Sequence, residues 1–220
     1  MGPGQHWERN RIMTRKTFLT CVGTLAIGAL LLLPGAAWSQ GISGTAHDFS
    51  GNGWSGGEIC IACHTPHDAD TSVSDAPLWN HELSVATYTL YSSGTLNAVP
   101  GQPTGPSKLC LSCHDGTVAL DSFGGNTGAT FIAPSAQVAD LDTEHPISFA
   151  YDNTLYLADG GLFDPVNDTT SLGGTIDNDL LFSNNVECAS CHDAHDSVGN
   201  TALLRIDNAG SALCLTCHDK

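Results

Sequence analysis

The chain has 220 residues, enough for one domain or two small ones, with 7 Lys+Arg against 23 Asp+Glu and a formal charge of −16. That balance excludes nucleic acid and anionic membrane surfaces as partners, because both select for basic patches. With 41% apolar and 14% charged residues the composition is acidic without being that of a disordered chain, and the 24 Gly and 10 Pro favour loops over long regular elements.

The first element in chain order is an export signal. Arg15 and Lys16 precede an apolar run from Thr17 to Leu33, which ends in Pro34-Gly35 and the small residues of Ala36-Ala37-Trp38-Ser39. A basic start, an apolar middle and a small-residue end describe a secretory signal peptide, residues 1–39, cleaved before Gln40. Met13-Thr14-Arg15-Lys16 opens a conventional signal, so residues 1–12 read as an upstream extension. The mature chain, 40–220, then has no membrane anchor and is secreted to the cell surface or extracellular space, with the periplasm as the alternative. It keeps Lys108, Arg205 and Lys220 against 22 acidic residues, a charge of −19, and contains no Met.

Four motifs follow: Cys60-Ile-Ala-Cys63-His64, Cys110-Leu-Ser-Cys113-His114, Cys188-Ala-Ser-Cys191-His192 and Cys214-Leu-Thr-Cys217-His218. Each is C-x-x-C-H, the attachment signature of haem c. Two thiols at this spacing add to the two vinyl groups of one porphyrin, and the next residue offers an imidazole to the iron. Zinc thiolate sites, a disulfide framework and a redox C-x-x-C are the competing readings. None of them requires a His after every pair, and with 10 His in 220 residues four coincidences have a chance of roughly one in two hundred thousand. Four covalent haems are therefore expected, attached through Cys60, Cys63, Cys110, Cys113, Cys188, Cys191, Cys214 and Cys217, with His64, His114, His192 and His218 as proximal ligands.

The motifs repeat in pairs. Cys60–His67 has the form CxxCHxxH and Leu109–Asp115 the form LCLxCHD; Cys188–His195 and Leu213–Asp219 repeat the two forms in the same order. A two-haem unit thus occurs twice, over about 40–149 and 187–220, with an insert of about 150–186 in which Asp-Gly, Asn and Asp-Pro punctuation predicts turns and a hairpin. Elsewhere long amphipathic patterns are lacking. The expected fold is mostly irregular coil with short helices and few short strands, a multihaem cytochrome c organised around a haem stack, in which porphyrin supplies much of the buried apolar surface.

Five other histidines remain in the mature chain for the distal faces. His47, His67, His145 and His195 are the candidates, and His81, beside the packing residues Leu78 and Trp79, is the spare. Without Met, His/Met ligation is excluded and bis-His, low-potential haem is expected. His67 and His195 lie three residues after a proximal His. So short a segment cannot pass around a porphyrin, and either residue, if it binds iron, binds the haem of a different motif.

The doubled pattern resembles the multihaem outer-surface c-type cytochromes of metal-reducing bacteria. The resemblance is carried by His47-Asp-Phe-Ser50, Cys63-His-Thr-Pro-His67, Pro77-Leu-Trp-Asn80, His145-Pro146 and Cys191-His-Asp-Ala-His195. Some members of that group polymerise into extracellular filaments, with a His of one subunit ligating a haem of its neighbour. The resemblance implies a homopolymer here, with His67 as the first candidate for the bridging ligand. It implies extracellular electron transfer to other redox proteins or to acceptors such as metal oxides, and no catalytic residues. A soluble periplasmic tetrahaem carrier is the alternative, and a multihaem reductase, which needs an open axial position, the third reading. The linker after residue 150 departs from the motif-bearing parts, and the resemblance says little about it.

Overall fold

The computed structural model describes residues 41–220, so the signal segment lies outside the described residues. The fold is mostly coil. Its longest helix, α1, spans Gly105–His114; α2 (Asn153–Asp159), α3 (Ile176–Leu180), α4 (Cys188–Cys191) and α5 (Cys214–Cys217) have one or two turns each. A two-residue pair, β1 (Phe149–Ala150) and β2 (Asn185–Val186), is antiparallel, with Phe149 opposite Val186. Among the described residues no helix is long and apolar enough to cross a membrane.

The β1–β2 pair closes the insert at its base, and the insert holds two helices where the sequence predicts turns and a hairpin. Local capping accounts for both. The Asp152 carboxylate accepts from Leu155 N–H, and Gly160, in the left-handed region at φ 67°, ends α2. The Thr175 hydroxyl accepts from Asn178 N–H at the start of α3. Such caps satisfy the unpaired amides at helix starts, and the glycine bears the positive φ without strain. The two helices turn Leu155 and Ile176 onto Phe149, Tyr151 and Val186, a small core against which Leu162, Phe163 and Cys217 also pack. Ile176 is 0% exposed, a burial that contributes roughly 1.5–3 kcal/mol.

Outside this core, order comes mainly from hydrogen-bonded turns. Asp164 accepts from the amides of Val166 and Asn167, and Asp179 from the Gly174 amide and the Thr170 hydroxyl. These acidic loop residues thus close local turns. At the N-terminal end, Asp48 caps the 3₁₀ turn Phe49–Gly51, and the ring series Phe49–Trp54–Phe123, with centroid spacings of 5.3 and 5.9 Å, holds this segment to the body.

Candidate haem sites

Every C-x-x-C lies on a single helical turn. Cys188–Cys191 is α4, Cys214–Cys217 is α5, and Cys110–Cys113 is within the last turns of α1. Cys60–Cys63 forms an equivalent turn, with His64 N–H donating to Cys60 O at 2.9 Å; His192 and His218 repeat that bond onto Cys188 and Cys214 at 3.0 Å. Residues three apart on a helical turn share a face, so each motif presents two thiols on one side with the imidazole directly after them. All eight thiols are free. Burial pushes Cys63 up to about 11 and both Cys113 and Cys217 up to about 12, which makes them poor thiolates and poor redox catalysts. Among the described residues no three His, Cys, Asp or Glu side chains converge into a metal-binding group.

The first and third motifs are held in the same way. Thr65 N–H donates to Leu78 O, Asn80 N–H to Cys63 O, and His64 Nδ1 lies 2.9 Å from Pro77 O. The third motif repeats these bonds: Asp193 N–H to Leu203 O, Arg205 N–H to Cys191 O, and His192 Nδ1 3.0 Å from Ala202 O. Left-handed backbone recurs at matching places, at Asp68 and Asp196 and at Leu78 and Leu203. The duplicated spelling in the sequence is therefore a duplicated structure. In the second motif His114 Nδ1 lies 2.9 Å from Ala136 O. A carbonyl at Nδ1 fixes the tautomer that leaves the Nε2 lone pair for iron, the usual arrangement of a metal-binding histidine.

The imidazoles pair across the fold. His114 faces His47 with ring centroids 6.1 Å apart, His64 faces His195 at 6.1 Å, and His218 faces His145 at 6.4 Å. With metal–nitrogen bonds of about 2.0 Å and a ring centre about 1.15 Å from each nitrogen, two imidazoles sharing one metal have centroids about 6.3 Å apart. The three observed spacings fit an iron between the rings. Two of the rings lie below their ordinary pKa: His47 through burial and the adjacent His114, His218 through burial and the adjacent His145. That favours the neutral form that ligates. His47 Nδ1 is moreover buried without a hydrogen-bond partner among the described residues, a ring nitrogen that the protein leaves open. The residues present thus fit covalent haem with two axial imidazoles.

The remaining three histidines differ. His81 is buried, with Nδ1 2.8 Å from Glu82 O and Nε2 2.9 Å from Ala119 O, so both nitrogens are occupied by the protein. His192, proximal in the third motif, has no facing imidazole among the described residues. His67 is exposed and likewise stands apart from the other imidazoles.

The sites lie close together. α1 packs on α4: Cys188 N–H donates to the Ser107 hydroxyl at 2.8 Å, and the small, fully buried Ser107 permits the close approach. The Cys110 and Cys188 thiols lie against each other, raising Cys110 and lowering Cys188. Two buried carboxylates lie at the two ends of this junction: Glu187, which no motif spelling points to, and Asp115, which closes the LCLxCHD spelling without any sign of its burial. Glu187, 1% exposed, accepts from the Thr104 and Ser148 hydroxyls at 2.8 Å and forms a capping box with Ser190 at the start of α4. Asp115 accepts from Tyr88 OH, from Thr117 and from Ser84. Both are visible only once distant hydroxyls are brought together by the fold.

Comparison with known proteins agrees with the site chemistry. Residues 182–220, which contain α4 and α5, match the family described as the doubled CXXCH motif. No curated protein matches the chain. The CXXCH motifs indicate covalent haem c, and the paired match points to a multihaem c-type cytochrome, an electron-transfer protein.

Proposed function

We propose that this protein carries electrons outside the cell through four covalently bound haems, as a subunit of a cytochrome filament. Bound haem would supply one-electron ferric/ferrous chemistry, at a potential set by ligands, charge and burial. The chain supplies the pairs His64/His195, His114/His47 and His218/His145 as axial ligands, and the thiols of the four motifs as attachment points. In this reading His67 of one copy ligates the haem attached at Cys188 and Cys191 of the next, opposite His192.

The observation that carries this reading is the remainder after pairing: among the described residues one motif histidine, His192, and one exposed histidine, His67, have no facing imidazole, while six others pair. A closed set of four pairs would suit a soluble carrier; three pairs plus one complementary remainder suits a polymer, because a head-to-tail contact leaves each copy able to receive the next. A cleaved signal and an acidic mature surface are consistent with export.

Electron microscopy of the extracellular fraction tests it. Filaments are expected from the native protein and none from His67→Ala, which should retain its haems and sediment as a monomer. A native protein that remains monomeric at high concentration, with all haems low-spin, would establish the soluble carrier instead. The same unpaired His192 also favours the reductase reading, in which its haem stays five-coordinate. A high-spin ferric signal in the native protein selects that reading; its absence there and its appearance in His67→Ala select the polymer.

A further inference from the structure

The duplication of the first and third motifs permits a comparison residue by residue. In the first, the Asn80 side chain donates through Nδ2 to Ile61 O at 2.6 Å, across the turn that carries Cys60 and Cys63. In the third, the equivalent position is Arg205, whose Nε donates to Ala189 O at 2.5 Å across the turn that carries Cys188 and Cys191. The two residues also share a backbone role: Asn80 N–H donates to Cys63 O and Arg205 N–H to Cys191 O. A neutral amide and a cation thus occupy the same place beside two otherwise equivalent attachment turns.

That cation is one of three basic residues in 41–220. Its guanidinium carbon lies 5.6 Å from the centroid of the Phe182 ring, which holds the side chain against the turn. Among the described residues it makes no ion pair with a carboxylate, so its charge is not cancelled at contact distance. In sequence the motif is flanked by Asp193 and the buried Glu187.

We infer that Arg205 is a potential-setting residue: it holds the haem attached at Cys188 and Cys191 at a more positive potential than an asparagine there would, separating two structurally duplicated sites. The inference rests on haem attachment at that motif and not on polymerisation. A cation beside a haem favours the ferrous form, which carries one positive charge fewer, and so raises the potential. The hydrogen bond to the turn is common to both residue types, so it positions the motif, while the charge distinguishes the sites.

Arg205→Asn places the first motif's residue in the third, where its amide can reach Ala189 O as Asn80 reaches Ile61 O. Haem content is counted from the intact mass, and the potentials are read by spectroelectrochemical titration. With full haem content, one step is expected to move negative, the ferric/ferrous ratio at fixed potential rising about fivefold, where tenfold corresponds to about 59 mV for a one-electron couple. Arg205→Lys keeps the charge and should keep the step near its native position. Asn80→Arg should move a different step positive. Full haem content with all steps unmoved in Arg205→Asn would overturn the inference, as would an equal shift in Arg205→Lys, which would assign the effect to packing. Should Arg205→Asn lose haem at this motif, Asn80→Arg decides alone: a positive shift upholds the charge rule and an unmoved titration overturns it. A native protein without covalent haem would instead defeat the electron-transfer reading itself.

Discussion

The second and fourth motifs are spelled almost identically, Leu109–Asp115 as LCLSCHD and Leu213–Asp219 as LCLTCHD, and are held by different means. The second ends a ten-residue helix with Thr104 at its N-cap and Pro106 in its first turn. That helix buries Leu109, Leu111 and Ser112, and Asp115 after it is buried too. The fourth is one turn, α5, with no buried residue, and its Leu215 is 45% exposed. What fixes α5 comes from the insert: Phe163 N–H donates to Cys217 O, Asp219 N–H to Gly161 O, and Tyr151 OH to Phe163 O at 2.7 Å. A motif therefore specifies the chemistry of attachment, while helix length and neighbours decide whether its surroundings are dry and rigid or wet and borrowed. The second site is part of the α1–α4 junction; the fourth leans on a separate small core.

The largest consequence of that difference concerns removal of the attachment points. Cys214→Ser with Cys217→Ser should yield a stable protein lacking one haem, because little else depends on α5. Cys110→Ser with Cys113→Ser should cost far more, since Cys110 meets Cys188 at the junction; little soluble haem protein is expected. Intact mass and haem-stained yield distinguish the two, and equal yields would show that the two sites are supported alike.

Next in size is the insert core. Ile176→Ala removes a fully buried side chain and should cost about 2–5 kcal/mol of stability in denaturant unfolding. If α5 borrows its rigidity, the spectrum of the fourth haem should broaden first while those of the α1–α4 junction remain sharp. Tyr151→Phe, which deletes the hydroxyl contacts to Phe163 O and Cys217 O, should act in the same direction by about 0.5–1.5 kcal/mol.

These contrasts mark where the sequence is informative. The C-x-x-C-H spacing is local covalent chemistry and can be read directly, as can the doubling. His195 stands three residues from His192, too close to pass around that haem, and its ring lies instead 6.1 Å from that of His64 with the two planes nearly parallel. The α2 and α3 helices were legible in principle through Asp152, Gly160 and Thr175, but their short lengths leave no apolar period to find, and the turn residues dominate the pattern. Glu187 was not legible, and Asp115, though it closes the LCLxCHD spelling, carried no sign of its burial or its partners. Each is an ordinary acidic residue until Thr104, Ser148, Ser84 and Tyr88, distant in sequence, converge on it. The same holds for the pairing of His47 with His114 and of His145 with His218, where five candidates and four faces left the matching open until the fold supplied distances.

A last contrast separates the aspartates that end the two motifs. Burial alone would push the Asp115 carboxyl up, but hydrogen bonds from Ser84, Thr117 and Tyr88 outweigh it and hold its pKa below the ordinary carboxylate value; the same bond and burial push Tyr88 up to about 12. A carboxyl whose folded pKa is depressed contributes stability that is fully present above its unfolded pKa, near 3.9, and is lost as pH falls through the folded value. Asp115→Asn should therefore lower stability at neutral pH by roughly 1–3 kcal/mol, and the penalty should shrink below about pH 4, where the native carboxyl is itself being protonated. Asp219, exposed after α5, should give a change within about 0.5 kcal/mol at every pH when replaced by Asn. Urea midpoints measured from pH 3 to 7 decide the matter. Parallel pH curves for the two variants would mean that the second motif's aspartate is no better embedded than the fourth's.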